Sequence, residues 1–202
     1  DGLKQWLKVY RNESDNTSRD FCNKLYRVIP KGVRAIAPTG TISILAGTTS
    51  GIEPVYSVAF KRRYLTDGTR WKHEFVVDGT AQILIEMGIK PNKIESAVDL
   101  AQDPERRIKF QHDVQAYVDQ AISSTINLPA WDTEHNNADL IARYVGWIQK
   151  YASGLRGLTV YPDGARGGQP ITSVPYEEAI NKRGVVYEDN SEEQCLSGVC
   201  GI

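Results

Sequence analysis

The sequence predicts an α/β fold, in which short strands and helices alternate along the chain. Two short apolar runs, Thr125–Leu128 and Leu158–Tyr161, have the length of buried strands, and each is bounded by Pro or Gly. Between them, Ala138–Ala152 repeats apolar residues at helical spacing. This alternation is typical of βα units and a mostly parallel sheet. The 202 residues, 41% hydrophobic and 24% charged, suit one ordinary globular domain.

The N-terminal part is predicted to be helical and then to form a strand. Residues 3–28 carry apolar side chains at helical spacing, but the polar stretch Asn12–Ser18 predicts a loop that interrupts the helix. Val33–Ala37 is a short strand candidate. A short helix is expected from Thr41, ending at Gly47.

The middle of the chain predicts a hairpin followed by helices. Val55–Leu65 and Trp71–Val77 favour strands, and the Asp67-Gly68 dipeptide between them is a strong turn signal. Further helices are expected at Thr80–Met87, after Pro91, after Pro104 and, as a turn or two, at Glu177–Lys182. The acidic run 188–193 is poor in apolar residues and is expected to be loosely attached.

Composition excludes several classes of function. The formal net charge of −1 gives no overall field to attract nucleic acid or an anionic membrane. No apolar run approaches the roughly 20 residues needed to span a bilayer. The sparse, odd number of cysteines, 3, fits a reducing cytoplasm better than a secreted disulfide scaffold. Because the chain starts at Asp1-Gly2 without a Met or a signal sequence, we expect it to be a truncated or processed piece, or an incomplete reading frame.

Residues 38–43 are a candidate anion site. The segment reads Pro38-Thr39-Gly40-Thr41-Ile42-Ser43 and joins the predicted strand to the predicted helix. Backbone N–H groups, hydroxyl groups and the positive end of a helix suit a phosphate, although the Gly-Lys pair of the Walker motif is absent. A plain strand-to-helix turn with a threonine cap explains the same residues equally well.

Two more charged residues are candidates for an additional site. Glu53 precedes a proline, which favours an extended backbone, and is either a site carboxylate or part of a surface turn. Arg166 lies in a glycine-rich loop that follows the strand ending at Tyr161, where it could reach an anion. A long connection without function is the alternative for this loop.

Cys195 and Cys200 form a C-x4-C pair that follows the acidic run. Zinc would require further ligands, and His73, His112 and His135 are all far away in sequence, so no metal site is expected. A disulfide closing such a short loop would add little stability. Thiol–disulfide exchange, which needs an accessible thiol and a resolving partner, is therefore favoured.

Four motifs in a fixed order resemble the catalytic subunits of ribonucleotide reductases, and the match runs from about Val33 to the C-terminus. The sequence around Tyr161 is most similar to that of the adenosylcobalamin-dependent class II enzymes, because the paired tyrosines of the iron-dependent class I enzymes are missing there. The motifs are Ile36 to Ser43, Ser50-Gly51-Ile52-Glu53-Pro54, Thr125-Ile126-Asn127-Leu128-Pro129, and Gly157-Leu158-Thr159-Val160-Tyr161 with Asp163-Gly164.

The resemblance implies a ten-stranded α/β barrel, of which residues 1–174 would form the C-terminal part, with residues 175–202 as a flexible redox tail. It implies adenosylcobalamin as cofactor, with most of its binding residues outside this chain. It also implies that Cys195 and Cys200 re-reduce the active-site disulfide after each turnover, with thioredoxin or glutaredoxin as the external reductant. The residues that match the family's substrate phosphate loop are Pro38, Thr39, Gly40, Thr41 and Ile42.

The chain also departs from the family. The Asn-x-Cys-x-Glu motif that carries the radical cysteine is missing, and Cys22 lies in a different context, that of a buried helix residue. We therefore expect the chain to be inactive alone and to require the N-terminal part of the same enzyme. The alternatives are a non-catalytic nucleotide- or phosphate-binding module and a small thiol–disulfide protein, the latter disfavoured because the spacing is not C-x-x-C.

Overall fold

The computed structural model describes residues 2–66, 70–163 and 170–188. They form two sheets with helices around them. The helices are α1 (Gly2–Lys24), α2 (Gly40–Ala46), α3 (Gly79–Glu86), α4 (Ala97–Leu100), α5 (Pro104–Gln115), α6 (Ala138–Tyr151) and α7 (Tyr176–Asn181), with 3-10 helices at Pro91–Lys93 and Ala152–Gly154. The strands are β1 (Ala59–Thr66), β2 (Arg70–Val77), β3 (Thr125–Leu128), β4 (Thr159–Pro162), β5 (Ile171–Ser173) and β6 (Val186–Glu188).

The larger sheet is antiparallel, in the order β5-β1-β2-β6. The hairpin predicted for this part of the chain is confirmed, with its first strand starting at Ala59, and the mostly parallel sheet predicted from the alternating strands and helices does not extend to it. The short connection at Asp67-Gly68 explains why, because a parallel pair needs a crossover of a dozen or more residues. The core of the sheet is formed by Ala59, Phe75 and Ala179, all at most 5% exposed.

The smaller sheet contains the parallel pair β3–β4, with Thr125 opposite Thr159. The predicted strand Val33–Ala37 is reduced to a single parallel bridge between Ile36 and Ile122. This segment nevertheless runs beside the chain that enters β3, since Ser123 N–H donates to the Ile36 carbonyl at 2.9 Å. The segment at Ile36, the chain from Ile122 into β3, and β4 thus lie side by side and parallel, as strands do in the wall of a barrel.

Helix α1 is continuous, so the predicted loop at Asn12–Ser18 was wrong. The polar residues of this stretch are held by local and long-range hydrogen bonds. Ser14 Oγ donates to the Tyr10 carbonyl at 2.7 Å, and the guanidinium of Arg34 donates to Ser14 Oγ at 2.8 Å. Cys22 is buried on this helix, as predicted. Within the described ranges, no helix combines the length and apolarity needed to cross a membrane.

The helix expected after Pro91 is reduced to the 3-10 turn Pro91–Lys93 and the short α4, whereas side-chain caps explain why α3 and α6 form close to where they were expected. The Asp78 carboxylate accepts from the N–H groups of Thr80 and Ala81 at the start of α3. At the start of α6, the side-chain oxygen of Asn137 accepts from the N–H groups of Asp139 and Leu140. Such caps satisfy the amides that a helix N-terminus leaves unpaired.

The first part of the segment expected to be a flexible tail is packed on the sheet. Helix α7 buries Ala179 at 1% exposure, and β6 pairs with β2, with Tyr187 opposite His73. The tail proposed from the sequence would therefore begin after β6. Residues 189–202 lie outside the described residues.

Candidate functional site

The loop at residues 38–42 leads directly into α2. Thr39 has a positive φ of 51°, and its carbonyl accepts the first hydrogen bond of the helix, from Ser43 N–H at 2.8 Å. The amides of Gly40, Thr41 and Ile42 come before that bond, so the helix itself does not satisfy them. All three residues are exposed, with Ile42 at 68%. The loop therefore presents consecutive N–H groups at the surface of this chain.

The hydroxyl groups of Thr39 and Ser43 form hydrogen bonds within this part of the chain. Thr39 Oγ1 accepts from Gly51 N–H at 3.0 Å. Ser43, named as a possible site residue, is 4% exposed and donates to the Gly40 carbonyl at 2.8 Å. Its oxygen lies 2.8 Å from Ser50 Oγ, which must be the donor of that bond because the Ser43 proton is already used. Thr39 and Ser43 therefore shape the loop, the Ser43 proton is not available to an anion, and the backbone amides of residues 40–42 are candidate donors for one.

Glu53 lies where the chain returns from α2 toward the sheet, and both of its carboxylate oxygens are occupied. One accepts from Thr125 N–H at 2.6 Å, at the start of β3. The other accepts from Arg107 Nη2 at 2.7 Å, and the same nitrogen lies 3.1 Å from Ser124 Oγ. The carboxylate that the sequence marked as a possible site residue thus joins three parts of the chain.

Arg107 was missed by the sequence reasoning. Its side chain is 8% exposed and lies on α5, which the sequence shows only as an amphipathic helix. Burial lowers the pKa of the Arg107 guanidinium, and the nearby charge of Glu53 opposes that effect. The signal that could have found it is an arginine on the apolar side of α5, because a buried arginine requires a partner.

A cavity of about 330 Å³ lies at the carboxyl ends of the parallel strands. Asn127 and Leu128 of β3 and Tyr161 of β4 form one side, and Tyr56 and Thr172 form another. Open α/β sheets place their ligands outside the carboxyl ends of strands. The glycine-rich loop was expected to leave the sheet here, and Tyr161 is at this edge as predicted.

One tyrosine that lines the cavity, Tyr56, has a shifted pKa. Burial, followed by the nearby carboxylate of Asp163, raises the pKa of Tyr56. The phenol therefore stays protonated and can donate a hydrogen bond throughout the ordinary pH range.

The other predicted residues are not placed by the structure. Arg166, Cys195 and Cys200 lie outside the described residues. Within the described ranges, no group of three or more His, Cys, Asp or Glu side chains could hold a metal ion.

The comparisons with known proteins all point to one family. Residues 3–161 match the model of the ribonucleotide reductase barrel domain. A vitamin B12-dependent ribonucleoside-diphosphate reductase of Mycobacterium tuberculosis (strain CDC 1551 / Oshkosh) is 34% identical over 164 residues, which cover 70% of this chain and 22% of that protein. A putative adenosylcobalamin-dependent ribonucleoside-triphosphate reductase of Mycobacterium phage D29 is 24% identical over 231 residues, covering 98% of this chain and 32% of that protein.

A solved structure supports the same fold. The crystal structure of a B-12 dependent (class II) ribonucleotide reductase superimposes with a TM-score of 0.64 at 16% identity, covering 89% of this chain and 26% of that one. This chain thus spans between a fifth and a third of the length of these relatives. The expected α/β barrel fragment is confirmed, and the chain belongs to the ribonucleotide reductase barrel-domain family.

Proposed function

We propose that this chain is the C-terminal barrel segment of an adenosylcobalamin-dependent ribonucleotide reductase, which reduces ribonucleoside di- or triphosphates to 2′-deoxyribonucleotides by thiyl-radical chemistry. Its share of the work is to bind the substrate's phosphates at Pro38, Thr39, Gly40, Thr41 and Ile42 and to supply reducing thiols. The observation that carries the proposal is the row of exposed amides at 40–42, unpaired by the helix that follows. Because the chain belongs to the ribonucleotide reductase barrel-domain family, we propose that the anion bound by these amides is the phosphate of a ribonucleotide.

The loop is suited to this task because its shape is fixed without a ligand. Thr39 holds a left-handed conformation that residues other than Gly, Asn and Asp rarely adopt. Its hydroxyl and its carbonyl are both hydrogen-bonded, to Gly51 and Ser43. Amides that are fixed before binding lose little conformational entropy when a phosphate binds.

Cobalamin does not fit the cavity at the strand ends. The cavity at the strand ends, about 330 Å³, is at the low end of the roughly 300–1,000 Å³ that drug-sized ligands occupy, and a corrin with its nucleotide loop is larger. We therefore propose that the cofactor is bound mostly by the rest of the longer enzyme, and we assign no step to it here.

The thiols have a defined exchange reaction. One of Cys195 and Cys200, as a thiolate, attacks the active-site disulfide and forms a mixed disulfide. The second thiol resolves it, which releases two active-site thiols and leaves a Cys195–Cys200 disulfide. Thioredoxin or glutaredoxin then supplies two electrons and two protons to regenerate the pair. The deoxyribonucleotides produced would serve DNA replication.

The loop proposal is tested by Gly40→Val in the full-length reductase. A Cβ at Gly40 meets no atom within 4 Å, so the fold accommodates the side chain, but a bound phosphate would not. We expect KM for the nucleotide to rise about tenfold, which corresponds to roughly 1.4 kcal/mol of lost binding.

The matched control is Gly146→Val on α6, where a Cβ also meets no atom within 4 Å. Its KM should equal that of the wild type. An unchanged KM in Gly40→Val would place the phosphates elsewhere and refute the proposed role of this loop.

A further inference from the structure

We propose that Arg107, acting through Glu53, is a positioning residue that sets the phosphate loop at residues 38–42 in its binding geometry. The inference rests on the proposed function of that loop and adds to it a residue from a different helix. Arg107 lies outside every motif that identifies the family, and it is 54 positions away from Glu53. Neither residue is proposed to contact the phosphate.

The first link joins Glu53 to the framework of the barrel wall. Its carboxylate accepts from Arg107 of α5 at 2.7 Å and from the Thr125 amide of β3 at 2.6 Å. Arg107 is supported in turn by Ser124 Oγ at 3.1 Å and by the Phe110 ring, 5.8 Å from the guanidinium carbon to the ring centroid. Charge-assisted bonds of this kind are about twice as strong as neutral ones.

The second link joins the same turn to the phosphate loop. Glu53 N–H donates to the Ser50 carbonyl at 2.8 Å, so the carboxylate and Gly51 belong to one tight turn. Gly51 has a φ of +52°, and a Cβ there would lie 3.2 Å from the Ala37 carbonyl oxygen. From this close position its N–H donates to Thr39 Oγ1 at 3.0 Å. The position of Glu53 is thereby transmitted to Thr39.

Removing the charge of Arg107 should therefore change the loop. Glu53, with its side chain 24% exposed, would lose its counter-ion and would move toward water. The turn would move with it, and Gly51 N–H would no longer be held against Thr39. Because Thr39 directs the start of α2, the amides of 40–42 would lose their common orientation.

The same helix provides a matched control. Arg106 is the neighbour of Arg107 and also pairs with a glutamate, Glu95, but its side chain is 58% exposed. Exposed pairs contribute little, and in the described part of the chain the Arg106 side chain bonds Glu95 and not the turn at 50–53. Arg106→Gln removes the same charge from the same helix without disturbing the proposed link.

The experiment compares Arg107→Gln, Glu53→Gln and Arg106→Gln in the full-length reductase. We expect KM for the nucleotide to rise about tenfold in the first two, an effect equal to one lost charge-assisted contact, and to stay at the wild-type value in the third. The change in kcat should be smaller than the change in KM. Binding of the corresponding nucleoside, which has no phosphate, should be unchanged in all three variants.

Arg107→Lys guards against a variant that does not fold. Lysine keeps the positive charge but not the planar guanidinium with its several donors, so we expect a KM between those of the wild type and Arg107→Gln. A wild-type KM in Arg107→Gln, a loss of kcat alone, or equal weakening of nucleotide and nucleoside would overturn the inference. If Gly40→Val raises KM and Arg107→Gln does not, the positioning role fails and the phosphate loop stands. If Gly40→Val also leaves KM unchanged, the proposed function of the loop fails as well.

Discussion

Arg34 and Asp119 form a pair in which both side chains also bind backbone. The Arg34 guanidinium donates to one carboxylate oxygen at 2.8 Å, and the other oxygen accepts from the N–H groups of Val33 and Arg34 at 2.8 and 3.1 Å. The same guanidinium donates to the Arg11 carbonyl and to Asp15 on α1. The pair therefore holds α1 and the turn after α5 against the segment that leads into the phosphate loop.

Arg34→Met should destabilise the fold strongly. Arg34 is 4% exposed, and its removal takes the guanidinium donor from one oxygen of the half-buried Asp119 and from the carbonyls of Arg11 and Tyr117. Breaking a buried pair by removing one member typically costs about 3–5 kcal/mol. We expect a loss of that order in the free energy of unfolding, measured by urea denaturation of the purified chain.

The control for this variant is Arg62→Met, which breaks a pair with Glu74 in which the arginine is 50% exposed. Exposed pairs are worth about 0–1 kcal/mol, so this change should have a small effect. Similar losses in both variants would show that the burial of Arg34 has no special role.

The Arg34–Asp119 pair should make stability depend on pH in the acid range. Hydrogen bonds from the Val33 amide, reinforced by the amide and the charge of Arg34, lower the pKa of the Asp119 carboxyl. A carboxyl whose pKa is lower in the folded state adds stability above its unfolded value, about 3.9. That contribution is lost as the pH falls through the folded pKa, and it is absent below both values.

Asp119→Asn measures this contribution directly. The difference in the free energy of unfolding between wild type and variant should be largest near pH 6 and should shrink as the pH falls below about 4. A difference that stays constant between pH 6 and pH 3 would mean that the charge of Asp119 is not what stabilises the segment.

Local signals in the sequence predicted the elements that depend on local interactions. β3 has the predicted bounds Thr125–Leu128, and α6 ends within one residue of its predicted end, because Pro129, the Asn137 cap and the apolar periodicity all act over a few positions. The hairpin β1–β2 follows from Asp67-Gly68 for the same reason.

Distant partners account for what could not be predicted. The polar stretch of α1 stays helical because Arg34, some 20 positions away, binds Ser14 and Asp15. Glu53 was visible as a candidate, but its partner Arg107 was not, since a pair separated by 54 positions leaves no periodic signal. Ser43 likewise appears as a donor in the sequence, and only the fold shows that its hydroxyl is used within the loop.

The cysteine pair yields the last prediction, which uses the full-length enzyme. Cys195→Ser and Cys200→Ser should each permit about one turnover per active site, because the active-site thiols are reduced at the outset and only later turnovers need the exchange. With thioredoxin as sole reductant, steady-state turnover should be abolished, whereas a small dithiol that enters the active site directly should restore it. Cys22→Ser is the control: this buried thiol on α1 has no part in exchange, so turnover with thioredoxin should persist. Undiminished thioredoxin-driven turnover in both tail variants would contradict the shuttle role, while the phosphate loop would be unaffected.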